Sequence, residues 1–258
     1  MTTAPRSSID LNSDLGEGFG SWRMADDAAL LDVVSSANIA CGFHAGDPLI
    51  MLDTVGLAAE RGVSVGAHVG YRDLVGFGRR AIDVSERELT ADVVYQLGAL
   101  HAAAAVAGTT MDFVKPHGAL YTVIGSDELQ ARAVVEAIAS YDPTLAFVAP
   151  PGSLALELAE DRGIRVVREA FADRAYTAHG TLVPRGEEGA VLHDPQTIAA
   201  RVVELATTGR IAAITGDVLE LDVETVCLHG DTPGSVAIAR AVRAALDAAG
   251  IAVRAPVR

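Results

Sequence analysis

Four of the seven histidines occupy the same kind of place: each ends a short apolar run and is followed within two residues by a glycine. They stand in Gly42-Phe43-His44-Ala45-Gly46, Gly66-Ala67-His68-Val69-Gly70, Lys115-Pro116-His117-Gly118 and Cys227-Leu228-His229-Gly230. Imidazole changes charge near neutral pH and serves as acid, base or metal ligand, so four such positions in register argue for a site. Any one of them alone reads as a core or loop histidine.

Carboxylates gather beside them. Asp14 and Glu17 lie in Asn12-Ser13-Asp14-Leu15-Gly16-Glu17-Gly18, and Asp231 follows His229-Gly230. Glu169 and Asp173 open a long segment rich in Gly and Arg, where a solvated ion pair is the bland alternative. Asp47 before Pro48 reads as a helix cap, whereas Thr232 before Pro233 can cap the next helix and release Asp231. Of 20 basic residues only Lys115 is lysine. A compact ammonium with three donors, not a planar fork, is what that position selects, unless the lysine fell there by chance.

Lys115 lies between Val114 and Pro116, which excludes a Walker A loop, and no G-x-S-x-G elbow occurs. Arg79 and Arg80 adjoin in a glycine-bearing loop, either to grip a carboxylate or phosphate or to be solvated. Cys41 and Cys227 sit in apolar runs and read as core. Together, histidines and carboxylates suggest hydrolysis of an amide or ester through a polarised carbonyl. A divalent metal on Asp14, His44 and His68 is compatible, although no short-spaced ligand pair supports it.

These side chains need rigid elements to converge. Apolar or β-branched runs recur at Ser8–Asn12, Ala37–Cys41, Val63–Ala67, Met111–Lys115, Leu145–Ala149, Ile164–Glu169 and Glu224–Leu228, separated by segments of helical period. That alternation implies parallel strands. Asp47-Pro48, Asp194-Pro195 and Ser85 with Glu88 are helix starts, and Gly62, Gly108, Gly163, Gly209 and Gly250 are stops. Seven units without a nucleotide fingerprint favour a TIM-like parallel barrel over an open doubly wound sheet, as one domain over residues 1–258. All four histidines then share the rim at the strands' C-terminal ends. Two excursions, Ala170–His193 and a hairpin at Ile211–Asp222 turning on Thr215-Gly216-Asp217, have the length of segments that bind or cover something.

With 34 acidic residues, the net charge of −14 argues against nucleic acid. Val93–Met111 carries no charged side chain yet holds Gln96 and His101, and it reads as a buried helix, not a membrane span. Met1–Ser8 is short and polar, unlike a signal peptide, and two cysteines make no disulfide framework. A reducing, cytoplasmic setting is expected.

Several long motifs carry a resemblance. They are Asp10–Gly18, Ser36–Asp47, Gly76–Arg79, Lys115–Tyr121, Phe171–Arg174 and Val226–Asp231. In order, from residue 9 to about 250, they resemble the LamB/YcsF family, to which the A subunits of prokaryotic 5-oxoprolinase belong. The resemblance implies a seven-stranded TIM-like barrel of the glycoside hydrolase/deacetylase type. It also implies ATP-dependent opening of 5-oxo-L-proline to L-glutamate with partner subunits B and C, ATP bringing Mg as its counter-ion. On that basis Lys115 and His117 bind and polarise the lactam, while Asp14, His44 and His68 activate water, directly or through a metal. Substrate or phosphate binding then falls to Asn12, Glu17, Asn38, Arg79, Glu169, Asp173, Arg174, His229 and Asp231. The family usually carries Asp at His179 and Pro at Val69, which leaves the charge of one loop and the stiffness of another open. A stand-alone metal-dependent amidohydrolase or deacetylase, and a non-catalytic substrate-binding subunit, are the alternatives.

Overall fold

The computed structural model describes residues 7–232 and 234–257. The first six residues of the polar N-terminal segment lie outside them, as does Pro233. Strands β1 Ser8–Leu15, β2 Ser36–Ala40, β3 Ser64–Val69, β4 Met111–Pro116, β5 Ala146–Ala149, β6 Val166–Phe171 and, after the short β7 Arg210–Ala212 and β8 Val218–Glu220, β9 Thr225–Leu228 form the barrel. They pair in parallel in the order β1-β2-β3-β4-β5-β6-β9, and β9 returns to β1 through Asn12↔Cys227. That closure overturns the open sheet. All seven expected runs are strands. A two-residue strand, β10 Ala252–Val253, also pairs with β1.

Helices α1 Asp27–Leu31, α2 Pro48–Glu60, α3 Glu86–Ala107, α4 Gly118–Val123, α5 Glu128–Tyr141, α6 Leu154–Asp161, α7 Pro195–Thr208 and α8 Ser235–Ala248 occupy the connections. The cap readings hold for Asp47, whose carboxylate accepts from the Leu49 and Ile50 amides, for Asp194 and for Ser85. The expected Thr232 cap does not form: Gly234 is the N-cap of α8, and the Thr232 hydroxyl reaches Asp173 instead. The predicted buried helix at 93–111 is α3, which begins at Glu86 and ends at Ala107. It is long and apolar enough to pass for a membrane span, but one face, with Leu89, Val93, Leu97 and Leu100, is buried in the core while Tyr95 and Val106 face solvent. Amphipathic packing on a barrel is what that pattern serves. The hairpin exists as β7 and β8, antiparallel.

The strands are buried on both faces, but the two faces differ. On β1, Ile9, Leu11 and Leu15 join the apolar layer between barrel and helices, while Asp10, Asn12 and Asp14 alternate with them and are also buried. Inside the barrel, Phe113, Ala146, Val148 and Val167 make an apolar plug. Two residues further along the same strands stand Lys115 and Glu169, level with the polar layer that ends in the rim. Gly66 on β3 makes room for the plug, since a Cβ there would lie 2.1 Å from the Phe113 ring.

Candidate active site

His68 and Lys115 are the last inward-facing residues of β3 and β4, so sheet register fixes their backbones side by side. Asp14 and Glu17 end β1 and open its loop, His44 lies in the turn after β2, and His117 is the N-cap of α4. His44 and His117 stack with ring centroids 3.7 Å apart, and His68 meets both edge-on. Glu17 Oε1 lies 3.2 Å from His44 Nε2, 3.2 Å from His117 Nδ1 and 3.7 Å from His68 Nε2.

Glycines let this stack form. A Cβ on Gly78, whose φ is +62°, would sit 2.7 Å from the His44 Cβ and 2.8 Å from His117 Cδ2, and one on Gly70 would sit 2.7 Å from His44 Nδ1. Their function is close approach, not only release of the loop. Burial, reinforced by His117 and opposed by Glu17, pushes His44 down to about 3, so this ring stays neutral.

Lys115 is 1% exposed. Its Nζ lies 3.0 Å from Asp14 Oδ1, 3.0 Å from Glu169 Oε1, 3.3 Å from Asn12 Oδ1 and 3.1 Å from Cys227 Sγ. Four acceptors therefore surround three protons, and the ammonium is a hub that holds two carboxylates, not an open donor. Burial opposes its charge, but Asp14, Cys227 and Glu169 raise its pKa well above the lysine range. Asp14 shows the converse: burial disfavours its charge, yet His68 and Lys115 hold it well below the usual carboxylate range. Asn12 and Asn38 lie beneath as supports. The Asn12 amide donates to Glu169 at 2.9 Å, and the Asn38 amide donates to Asn12 at 2.7 Å and Asp14 at 2.8 Å.

Across the mouth, His229 Nδ1 lies 2.7 Å from Asp173 Oδ1, and its ring stacks on Phe171. Burial disfavours the Asp173 charge, but His229 outweighs it and lowers the pKa. A carboxylate only accepts, so Nδ1 carries the proton and Nε2 is left as the basic nitrogen. Glu169 and Asp173 are both buried, which corrects the solvated-pair reading. Arg79 pairs with Asp231 over the rim, and Arg80 pairs with Asp73 outside it. The Arg174 guanidinium donates to the carbonyls of Val183 and Ala190 and so ties down the long loop after β6.

These groups face one cleft of about 640 Å³, lined by Asp14, Glu17, His68, Lys115, His117 and His229 on its floor and by Arg79, Arg174 and Arg185 near its mouth. A smaller cleft of about 340 Å³ adjoins it and shares Arg185 and Asp231. Of the four histidines, His44 sits behind His117 and does not line the cleft. The expected metal set is also regrouped: His44 and His68 converge with Glu17 and His117, whereas Asp14 converges with Cys227 and His229. Cys227, expected as core, points its thiol at Lys115, and Arg185 was not foreseen. Cys227 follows Thr225 by two on β9, the period that puts both inside the barrel, and this signal was available in the sequence.

A closed parallel barrel with acid-base side chains at the C-terminal ends of its strands defines an α/β-barrel enzyme site. The chain belongs to the LamB/YcsF family, whose sequence model matches residues 9–258. It is 59% identical over 247 residues to a Mycolicibacterium paratuberculosis protein named as the A subunit of 5-oxoprolinase, covering 96% of this chain and 98% of that protein. An Agrobacterium fabrum protein named as A subunit 1 of 5-oxoprolinase is 56% identical over 248 residues, 96% of this chain and 97% of its own length. The crystal structure of a lactam utilization protein from Thermus thermophilus superposes with a TM-score of 0.92 at 44% identity, covering 96% of this chain and 99% of that one.

Proposed function

We propose that this single-domain barrel is the A subunit of an ATP-dependent 5-oxoprolinase, opening the lactam of 5-oxo-L-proline to L-glutamate with B and C subunits. The similarity at 56% and 59% identity along nearly the whole chain carries the reading. A small polar cleft with neighbouring basic and acidic groups suits the chemistry. Two buried free cysteines suit a reducing, cytoplasmic setting, and the charge of −14 argues against nucleic acid as a partner.

An unstrained five-membered amide resists water because its carbonyl is a poor electrophile. ATP, with Mg as its counter-ion, would supply the phosphoryl group that activates the carbonyl through its oxygen: water adds to that carbon, the ring C–N bond breaks with a proton passing to the nitrogen, and the resulting acyl phosphate gives up its phosphate to a second water. The guanidiniums of Arg79, Arg174 and Arg185 at the mouth fit such an anion, whichever subunit holds the nucleotide itself. His229 Nε2, oriented through Nδ1 by Asp173, takes the proton of the attacking water. Asp14 stays ionised beside it. Lys115 acts as a positioning residue, holding Asp14 and Glu169 where the cleft needs them, which revises its expected role as a carbonyl donor. His117 remains on the cleft floor to orient the substrate.

The test is glutamate release from 5-oxoproline by the purified chain, alone and with B and C, with and without ATP. Dependence on both ATP and partners, and loss of turnover in His229→Gln, is expected. Release by the chain alone without ATP would mark a stand-alone amidohydrolase, and full turnover in His229→Gln would mark a substrate-binding subunit.

A further inference from the structure

Among the described residues, five buried side-chain oxygens and nitrogens have no hydrogen-bond partner, and only two of them, Tyr121 Oη and Glu169 Oε2, belong to residues that line the large cleft. Tyr121 is 5% exposed and Glu169 1%. Unpaired buried polar atoms are costly, so a donor and an acceptor kept bare at one cleft point to a ligand that pairs them. Their surroundings hold them in place. Glu169 Oε1 takes Lys115 Nζ at 3.0 Å and the Asn12 amide at 2.9 Å, which fixes the carboxylate and leaves Oε2 over. The Tyr121 ring, on α4, packs edge-on against Phe171 with centroids 5.5 Å apart, in a small apolar group with Cys227 and Leu182. Burial, then the Glu169 charge, holds the Tyr121 phenol well above its ordinary range, so it keeps its proton and donates, whereas the carboxylate paired with Lys115 only accepts.

We infer that Tyr121 and Glu169 together read the cyclic amide of the substrate, Tyr121 Oη donating to its carbonyl oxygen and Glu169 Oε2 accepting its N–H. A five-membered ring forces the amide cis, so its N–H and C=O leave one edge of the ring side by side, whereas an open-chain amide is trans and points them apart. A donor and an acceptor on one cleft wall complement the cis edge and not the trans one. The carbonyl oxygen has two lone pairs, so one stays free for phosphoryl transfer. Glu169 thereby has two tasks, Oε1 in the Lys115 network and Oε2 toward the substrate. The assignment rests on the lactam reading and adds to it the residues that select a lactam.

The test compares 5-oxo-L-proline with the γ-lactone acid of the same shape, in which a ring oxygen replaces N–H. Calorimetry gives the Kd of each on the complex with B and C subunits, held with a non-hydrolysable ATP analogue, for the wild type, Tyr121→Phe and Glu169→Gln. The wild type is expected to prefer the lactam by about 10- to 100-fold or more, because the lactone leaves Oε2 facing another acceptor. Tyr121→Phe should weaken both ligands alike, by about 3- to 10-fold, since both carry the carbonyl, and should melt no lower than the wild type, having lost a hydroxyl without a partner. In Glu169→Gln, Lys115 and Asn12 both donate to the inner position, so the amide oxygen settles there and its NH2 takes the place of Oε2. The lactam preference should then vanish or reverse. General loosening of the cleft weakens both ligands equally and leaves that preference unmoved. An unchanged preference in Glu169→Gln, or wild-type affinity for both ligands in Tyr121→Phe, overturns this inference and leaves the lactam reading standing; if Glu169→Gln does not fold, Tyr121→Phe decides. Absence of ATP-dependent 5-oxo-L-proline turnover by the wild-type complex overturns the reading and the inference with it.

Discussion

Replacing Lys115 by methionine keeps the length of the side chain and removes its charge, leaving Asp14 and Glu169 buried in the barrel without their counter-ion. Each lies 3.0 Å from Nζ. At an effective dielectric of about 20, each contact is worth roughly 5–6 kcal/mol of attraction before desolvation is charged against it. Stranding one member of such a buried network costs about 3–5 kcal/mol net, a large part of a typical stability of about 5–15 kcal/mol. Lys115→Met is therefore expected to fold and to melt well below the wild type. The physical claim lies in the coupling: Glu169→Gln, added to Lys115→Met, removes one of the stranded charges and is expected to recover about 1–2 kcal/mol. Urea unfolding of the wild type, both single variants and the double variant closes the cycle. Losses that simply add, or a cost below about 1 kcal/mol for Lys115→Met, would refute the view of Lys115 as the hub of a buried ion network.

Asp173→Asn keeps the shape but loses the ionised acceptor that fixes the His229 tautomer, and kcat for glutamate formation in the reconstituted complex is expected to fall about 10²- to 10⁴-fold with little change in melting temperature. Gly78→Ala puts a methyl group against His44 and His117 at a φ of +62°, and steady-state kinetics should show activity lost while circular dichroism retains the barrel. Burial raises Asp10 from its ordinary 3.8 to about 6, despite hydrogen bonds from Ser35, Thr225 and Ser36. The native state then binds the extra proton, so this residue's contribution to stability falls as pH rises from about 4 to 6, by up to about 3 kcal/mol. Melting curves of the wild type and Asp10→Asn across that range should converge at the acid end and separate toward neutrality, with the variant the more stable; parallel curves would contradict it.

Much of the fold is local and was therefore legible. Asp47-Pro48, Ser85 with Glu88, and Gly108 and Gly209 act through hydrogen bonds and backbone angles within a few residues, so their readings survive folding. The same holds for the seven strands and for the placement of His44, His68, His117 and His229 on one rim, because a strand's end and its loop are set by adjacent residues. Barrel closure through Asn12 and Cys227 depends on sheet twist and stagger summed around seven strands, and no segment carries that alone. The chemistry divides in the same way. Residue types announced imidazoles, carboxylates and a solitary lysine. Only tertiary contacts decided that Lys115 is enclosed by Asp14, Glu169, Asn12 and Cys227, that His229 belongs to Asp173, and that Glu17 displaces Asp14 among the three stacked and edge-on histidines. Those pairings join residues 27 to 112 positions apart, at distances where a shift of one ångström separates a hydrogen bond from none.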